Sequence, residues 1–157
     1  MKNAARIIDL AKEKNVMIAT AESCTGGMVA VMLTDVAGSS AVVERGFVTY
    51  SNAAKTEMLG VSHDTLAARG AVSEEVAREM ADGALAHSAA QLAVSITGIA
   101  GPGGSERKPE GRVCFGLAMT GRPTHTETRE FGAPGRAEVR RLSRDHALQL
   151  LHDALMS

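Results

Sequence analysis

Two apolar runs of strand length, NVMIATA (residues 15–21) and LAVSITG (residues 92–98), each break off into glycine and small polar residues. Runs this short and this continuously apolar read as buried strands, which belong in a sheet covered by helices on both faces. The rest of the chain supplies those helices. Ala4, Ile7, Ile8 and Ala11 recur at helical spacing before the first run, and MVAVMLTDV (residues 28–36) is long enough for a helix after it. From Asn52 the chain reads as short helices broken near Gly60 and Gly70. Ser73 then caps a helix with Glu74 and Glu75 in its first turn and Val76, Met80, Ala84 and Leu85 as its apolar stripe. Val139, Leu142, Ala147, Leu150, Leu151 and Ala154 mark a final amphipathic helix. VVERGFVTYS (residues 42–51), bent at Gly46, is a further strand, as are RVCFGLAMT (112–120) and THTETREF (124–131), joined by GRP.

The resulting order, α-β-α-β-α-α-β-β-β-α, predicts a single domain over residues 1–157. Its fold class is α/β, three-layer α/β/α, with a mixed, mostly parallel sheet of about five strands. Ligands of such sheets bind at the carboxyl ends of strands, and three segments begin there: Thr20–Gly27, Tyr50–Lys55 and Thr97–Gly104. The last opens a Gly/Pro-rich loop, GIAGPGGSERKPEG (98–111), longer than any tight turn.

Composition narrows the partners. A formal net charge of -1, one Tyr, three Phe and no Trp leave neither the basic footprint nor the stacking platform of a nucleic-acid binder, so the expected partner is a small molecule. Hydrophobic residues make up 45% and charged residues 22%, with no run long enough to span a membrane. MKNAARIIDLAKEKN carries Asp9 and Glu13 and reads as an amphipathic helix rather than a signal peptide, which predicts a cytoplasmic protein. Cys24 and Cys114 lie far apart and suit reduced thiols. None of His63, His87, His125, His146 and His152 pairs with a Cys, Asp or His at ligand spacing, so neither a metal nor a cofactor is expected.

The chemistry centres on TAESCTGG (20–27). Ser23 stands in a strand-to-helix turn where the N–H groups of Thr25, Gly26 and Gly27 can face an oxyanion. The same residues also suit a plain cap, with Ser23 or Thr25 closing the helix. The G-x-S-x-G elbow and the histidine partner of a Ser-His-Asp triad are both missing, so a base has to come from elsewhere. Lys55 is the candidate, because a buried amine is held neutral and takes a proton from a hydroxyl; the alternative is a solvated helix lysine. Tyr50, the single tyrosine, either relays a proton or holds Lys55 through its hydroxyl, or is a strand aromatic with a wet tip. Cys24 is the rival nucleophile. Arg136, Arg140 and Arg144 share one face near the start of the final helix, where the dipole disfavours cations; a phosphate would relieve this, as would Glu138 and Asp145 by internal pairing. Lys108 and the GIAGPGG backbone are further phosphate candidates. Two function classes stay open: a serine amidohydrolase, and a nucleotide-binding module in which Ser23 is only a cap.

TAESCTGG, ERGFVTYSNAAKTEMLGV, GAVSEEVAREMA, SITGIAGPGG, KPEGRV and GRAEVRRL, in this order from Thr20 to Leu142, together resemble the CinA C-terminal domain family. The resemblance implies hydrolysis of the carboxamide of nicotinamide mononucleotide to nicotinic acid mononucleotide and ammonia, without a metal, in a homo-oligomer. It implies Ser23 as nucleophile, Lys55 as base and Tyr50 beside them, with Thr97, Gly98 and Gly101 in the active-site loop and Arg136 and Arg140 in the matching helix segment. The family carries an aliphatic residue where this chain has Glu110, and its glycine run before Ser105 is one residue longer, so the loop is the looser part of the match. Glu22 recurs in the motif, and the sequence offers no physical account of it.

Overall fold

A computed structural model describes residues 4–157. Its central strands are the two apolar runs: β1 (Ile18–Glu22) is buried along its length and β3 (Leu92–Gly98) nearly so. With β2 (Val43–Val48), β4 (Arg112–Met119) and β5 (His125–Glu130) they form a five-stranded sheet in the order β2-β1-β3-β4-β5. The pairs β1–β2 and β1–β3 are parallel, while β3–β4 and β4–β5 are antiparallel. β4 alone therefore runs against the other strands, and the sheet is mixed and mostly parallel in strand direction. The irregularity in β2 falls at Glu44, between the partners of Ile18 and Ala19, rather than at Gly46. Gly46 instead answers a close approach: a Cβ there would lie 2.8 Å from Thr20 Oγ1.

Alternation along the buried strands divides large from small side chains. Ile18, Leu92, Val94 and Ile96 face α1 (Ala4–Lys14), α2 (Met28–Thr34) and α6 (Arg136–Met156) in the larger core. Ala19, Ala21 and Ala93 face the opposite layer, where α3 (Asn52–Leu59), α4 (His63–Arg69) and α5 (Glu74–Ala86) lie. The small residues let α5 settle close. Gly116 pairs with Ser95 in register, and a Cβ on Gly116 would lie 2.4 Å from Ala77 O, the carbonyl to which Ser95 Oγ donates at 2.6 Å. The caps that the sequence marks are present at Ser73, whose hydroxyl accepts from Val76 N–H, and at Gly60, left-handed after α3. Among the described residues no helix is long and apolar enough to cross a membrane.

Gly83 of α5 sets how near α3 can come, since a Cβ there would lie 2.0 Å from Leu59 O. Helix propensity favours Gly→Ala by about 1 kcal/mol, whereas forcing an atom into a packed contact costs about 1–3 kcal/mol or more. A backbone oxygen cannot swing aside, so the clash wins. Gly83→Ala is expected to lower the denaturant midpoint, whereas propensity alone would raise it.

Candidate active site

The carboxyl ends of β1, β2 and β3 converge because the strand pairing continues past the strands. Ser23 N–H donates to Ile96 O at 3.0 Å, and Thr49 N–H donates to Glu22 O at 2.9 Å. Ser23 thus stands between the end of β3 and the segment Thr49–Tyr50, buried to 7% exposure. The turn that carries it is ordered by Glu22, whose side chain is 1% exposed. Glu22 Oε1 accepts from Thr25 Oγ1 at 2.6 Å, Gly27 N at 3.2 Å and Val29 N at 3.1 Å, and Oε2 accepts from Ala30 N at 3.1 Å. A carboxylate at the positive end of a helix, meeting its orphan N–H groups, is a stabilising arrangement. Here it comes from the preceding strand rather than from the usual cap position. Neither Ser23 nor Thr25 caps α2; the N-cap is Gly27, with no side-chain bond of its own.

This geometry corrects the expected oxyanion cradle. Gly26 N–H donates to Ser23 O at 3.0 Å and Gly27 N–H donates to Glu22, so neither is free for a ligand. Gly26 holds φ +58, a left-handed turn position that suits glycine. The amides of the turn that donate to no oxygen among the described residues are those of Cys24 and Thr25.

Lys55, on α3, is 2% exposed. Its Nζ lies 3.1 Å from Ser23 Oγ and donates to Thr49 O at 3.2 Å and Tyr50 O at 3.4 Å. No carboxylate pairs with it among the described residues, and burial lowers its pKa from the ordinary 10.5. With two N–H bonds directed to carbonyls, the remaining vertex of a neutral amine is a lone pair toward Ser23. Tyr50 meets Lys55 through its main-chain carbonyl and not through its hydroxyl, one of the roles that the sequence left open. The ring is 61% exposed, and its hydroxyl accepts from Arg136 Nη2 at 2.9 Å. Cys24 is buried beside Ser23, and desolvation pushes its thiol up to about 11, which leaves almost no thiolate at neutral pH.

A cavity of about 380 Å³ opens over this pair, lined by Ser23, Cys24, Tyr50, Asn52, Lys55, Thr97, the loop Gly98–Glu106 and Arg136. That volume suits a small organic ligand. Thr97 donates its hydroxyl to Ala71 O at 2.8 Å, and both residues line the cavity. Gly98 has no room for a side chain, since a Cβ would lie 2.7 Å from Val113. Beyond Gly101, Glu110 closes the loop by accepting from Gly103 N at 2.7 Å, so the departure from the family pattern has become a staple. The arginines separate. Arg136 stays at the mouth, donating to Gly101 O and Tyr50 Oη. Arg140 is not on the cavity wall; it donates to Cys24 O and Thr25 O behind the turn. Glu138 and Asp145 pair with Arg141 and Arg144, and among the described residues no carboxylate pairs with Arg136 or Arg140. Lys108 donates to Arg69 O and Val72 O instead of facing the cavity.

Sequence reasoning missed two things here. Glu22 as a remote cap has one faint signal, an acid just upstream of a helix start. The use of Arg140 on the turn, 116 residues away from Cys24, has none. Glu22→Gln replaces a fourfold acceptor by an amide whose NH₂ opposes helix N–H groups, at a cost of about 2 kcal/mol. The expected result is a lower denaturant midpoint together with slower turnover, because Ser23 rides on the same turn; an unchanged midpoint would contradict the capping role.

The family model for the CinA C-terminal domain matches residues 1–155. The chain is 56% identical over 141 residues to a protein of Escherichia coli (strain K12) named nicotinamide-nucleotide amidohydrolase PncC, covering 89% of this chain and 85% of that one. It is 52% identical to a longer CinA-like protein of Chlorobium phaeobacteroides (strain BS1), covering 92% of this chain and 36% of the relative. The crystal structure of competence/damage inducible protein CihA from Agrobacterium tumefaciens superposes with a TM-score of 0.94 at 48% identity, covering 98% of this chain and 93% of that one. With the converged strand ends, the family match and these relatives in agreement, the chain belongs to the CinA C-terminal domain family.

Proposed function

We propose that the protein is a nicotinamide-nucleotide amidohydrolase that converts nicotinamide mononucleotide to nicotinic acid mononucleotide and ammonia. Its similarity to the Escherichia coli amidohydrolase supports the substrate. The observation that carries the chemistry is a buried lysine amine, in ion-pair contact with no carboxylate among the described residues, 3.1 Å from a serine hydroxyl at the base of a ligand-sized cavity. A homo-oligomeric enzyme accompanies this reading, as the family resemblance implies, and a cytoplasmic location is part of the same proposal.

Neutral Lys55 takes the proton of Ser23 as Oγ attacks the amide carbon, and the N–H groups of Cys24 and Thr25 hold the oxyanion. Collapse breaks the C–N bond, and the Lys55 ammonium passes its proton to the leaving nitrogen, which departs as ammonia. Lys55 then deprotonates a water that attacks the Ser23 ester; the carboxylate product leaves and the serine recovers its proton. No step requires a metal. Arg136, unpaired by any carboxylate at the cavity mouth, takes the substrate phosphate.

Three outcomes test the proposal. Ser23→Ala and Lys55→Met should fold normally yet release no ammonia from nicotinamide mononucleotide above background; full turnover by Ser23→Ala would refute the mechanism. Arg136→Ala should raise KM for the mononucleotide by about 10- to 100-fold, the worth of one charge-assisted bond, with little change for the phosphate-free riboside. The third is pH. The folded protein releases the Lys55 proton below 10.5 and the unfolded chain holds it up to that value. The unfolded state therefore binds more protons in this window, and the Lys55 contribution to stability rises with pH there. Activity should climb with pH through the same lowered pKa and level off before 10.5, with the base neutral on the plateau. A profile flat across this window would exclude Lys55 as the base.

A further inference from the structure

Arg140 reaches the nucleophilic turn without lining the cavity. Its Nε donates to Cys24 O at 3.0 Å and its Nη2 to Thr25 O at 3.4 Å. Gly26 accommodates it, since a Cβ at that residue would lie 3.5 Å from Nη2. A cation in the second turn of α6 gains nothing from the helix dipole, and the two acids of that helix nearest to it in sequence, Glu138 and Asp145, are taken by Arg141 and Arg144. Its hydrogen-bond partners are main-chain carbonyls of the turn that carries Ser23.

Each of those carbonyls shares a peptide unit with an N–H. Thr25 O belongs with Gly26 N–H, which is already spent on Ser23 O. Cys24 O belongs with Thr25 N–H, which donates to no oxygen among the described residues. A charge-assisted bond onto a carbonyl draws electron density through the amide and strengthens its N–H as a donor. We propose that Arg140 is a positioning residue of the catalytic turn: by bonding Cys24 O it fixes and polarises the Cys24–Thr25 peptide, so that Thr25 N–H meets the oxyanion formed when Ser23 attacks. This inference rests on Ser23 being the nucleophile, and it separates Arg140 from the phosphate, which it does not face across the cavity.

The test compares wild type, Arg140→Gln and Arg140→Lys in two assays: ammonia release from nicotinamide mononucleotide, and labelling of Ser23 by a fluorophosphonate probe, followed by intact mass with Ser23→Ala as blank. Removing an oxyanion donor outright costs about 100- to 1,000-fold, so weakening one should cost about 10-fold or more. Arg140→Gln should lose that factor in kcat and in labelling rate alike, with KM within about twofold and the pH limb of Lys55 in place; Arg140→Lys, which keeps the charge and one donor, should fall between. If Arg140→Gln does not fold, the same split is read from Arg140→Lys. Wild-type kcat and labelling in both variants would overturn the proposal, as would a loss confined to KM for the mononucleotide. A wild type that labels at Ser23 but releases no ammonia would refute the substrate reading alone, and the labelling rates would still decide the role of Arg140.

Discussion

Burying the amine of Lys55 with no carboxylate in ion-pair contact among the described residues is the constraint around which the site is arranged. An ammonium at 2% exposure loses its hydration, and the charge of Glu106 does not make up for that loss. The fold offers instead the carbonyls of Thr49 and Tyr50 and the hydroxyl of Ser23, a set that also satisfies the neutral amine. That favours the state in which lysine acts as a base. α3 must therefore press closely on the sheet, and the small residues on that face, together with Gly83 under Leu59 O, allow it.

The turn bearing Ser23 is held from two sides by opposite charges. On one side the Glu22 carboxylate collects the N–H groups of Gly27, Val29 and Ala30 together with the Thr25 hydroxyl. On the other, Arg140 collects the carbonyls of Cys24 and Thr25. An acid that takes donors and a base that takes acceptors leave a short peptide segment little freedom, as a nucleophile needs if the approach of its oxygen is to be fixed before the substrate arrives. Cys24 occupies the same turn, but its buried thiol stays protonated.

The arginines of α6 show why motif residues cannot be assigned roles by type alone. Arg136, Arg140 and Arg144 recur every fourth residue and look equivalent in sequence. In the fold Arg136 reaches the cavity mouth, Arg140 the back of the turn, and Arg144 its neighbour Asp145. What separates them is the distance of each turn of the helix from the strand ends. Tyr50 shows the same effect: its place at a strand end is legible, but whether its hydroxyl or its carbonyl meets Lys55 depends on which way the chain turns into α3.

The sequence by itself determined the five strands, their order and the layered mixed sheet, because continuous apolar runs require cover on both faces and helical stripes provide it; between β2 and β3 its order has two helices where the fold has three, α3, α4 and α5. It also determined which strand ends carry polar residues, and so placed Ser23, Lys55 and Thr97 near one edge of the sheet. Only the tertiary structure decided that Lys55 is buried and touches Ser23, that Glu22 rather than Ser23 or Thr25 caps α2, and that the amides of Gly26 and Gly27 are already spent. Those facts depend on contacts between residues far apart in the chain, and no local pattern encodes the direction in which a side chain or an amide points.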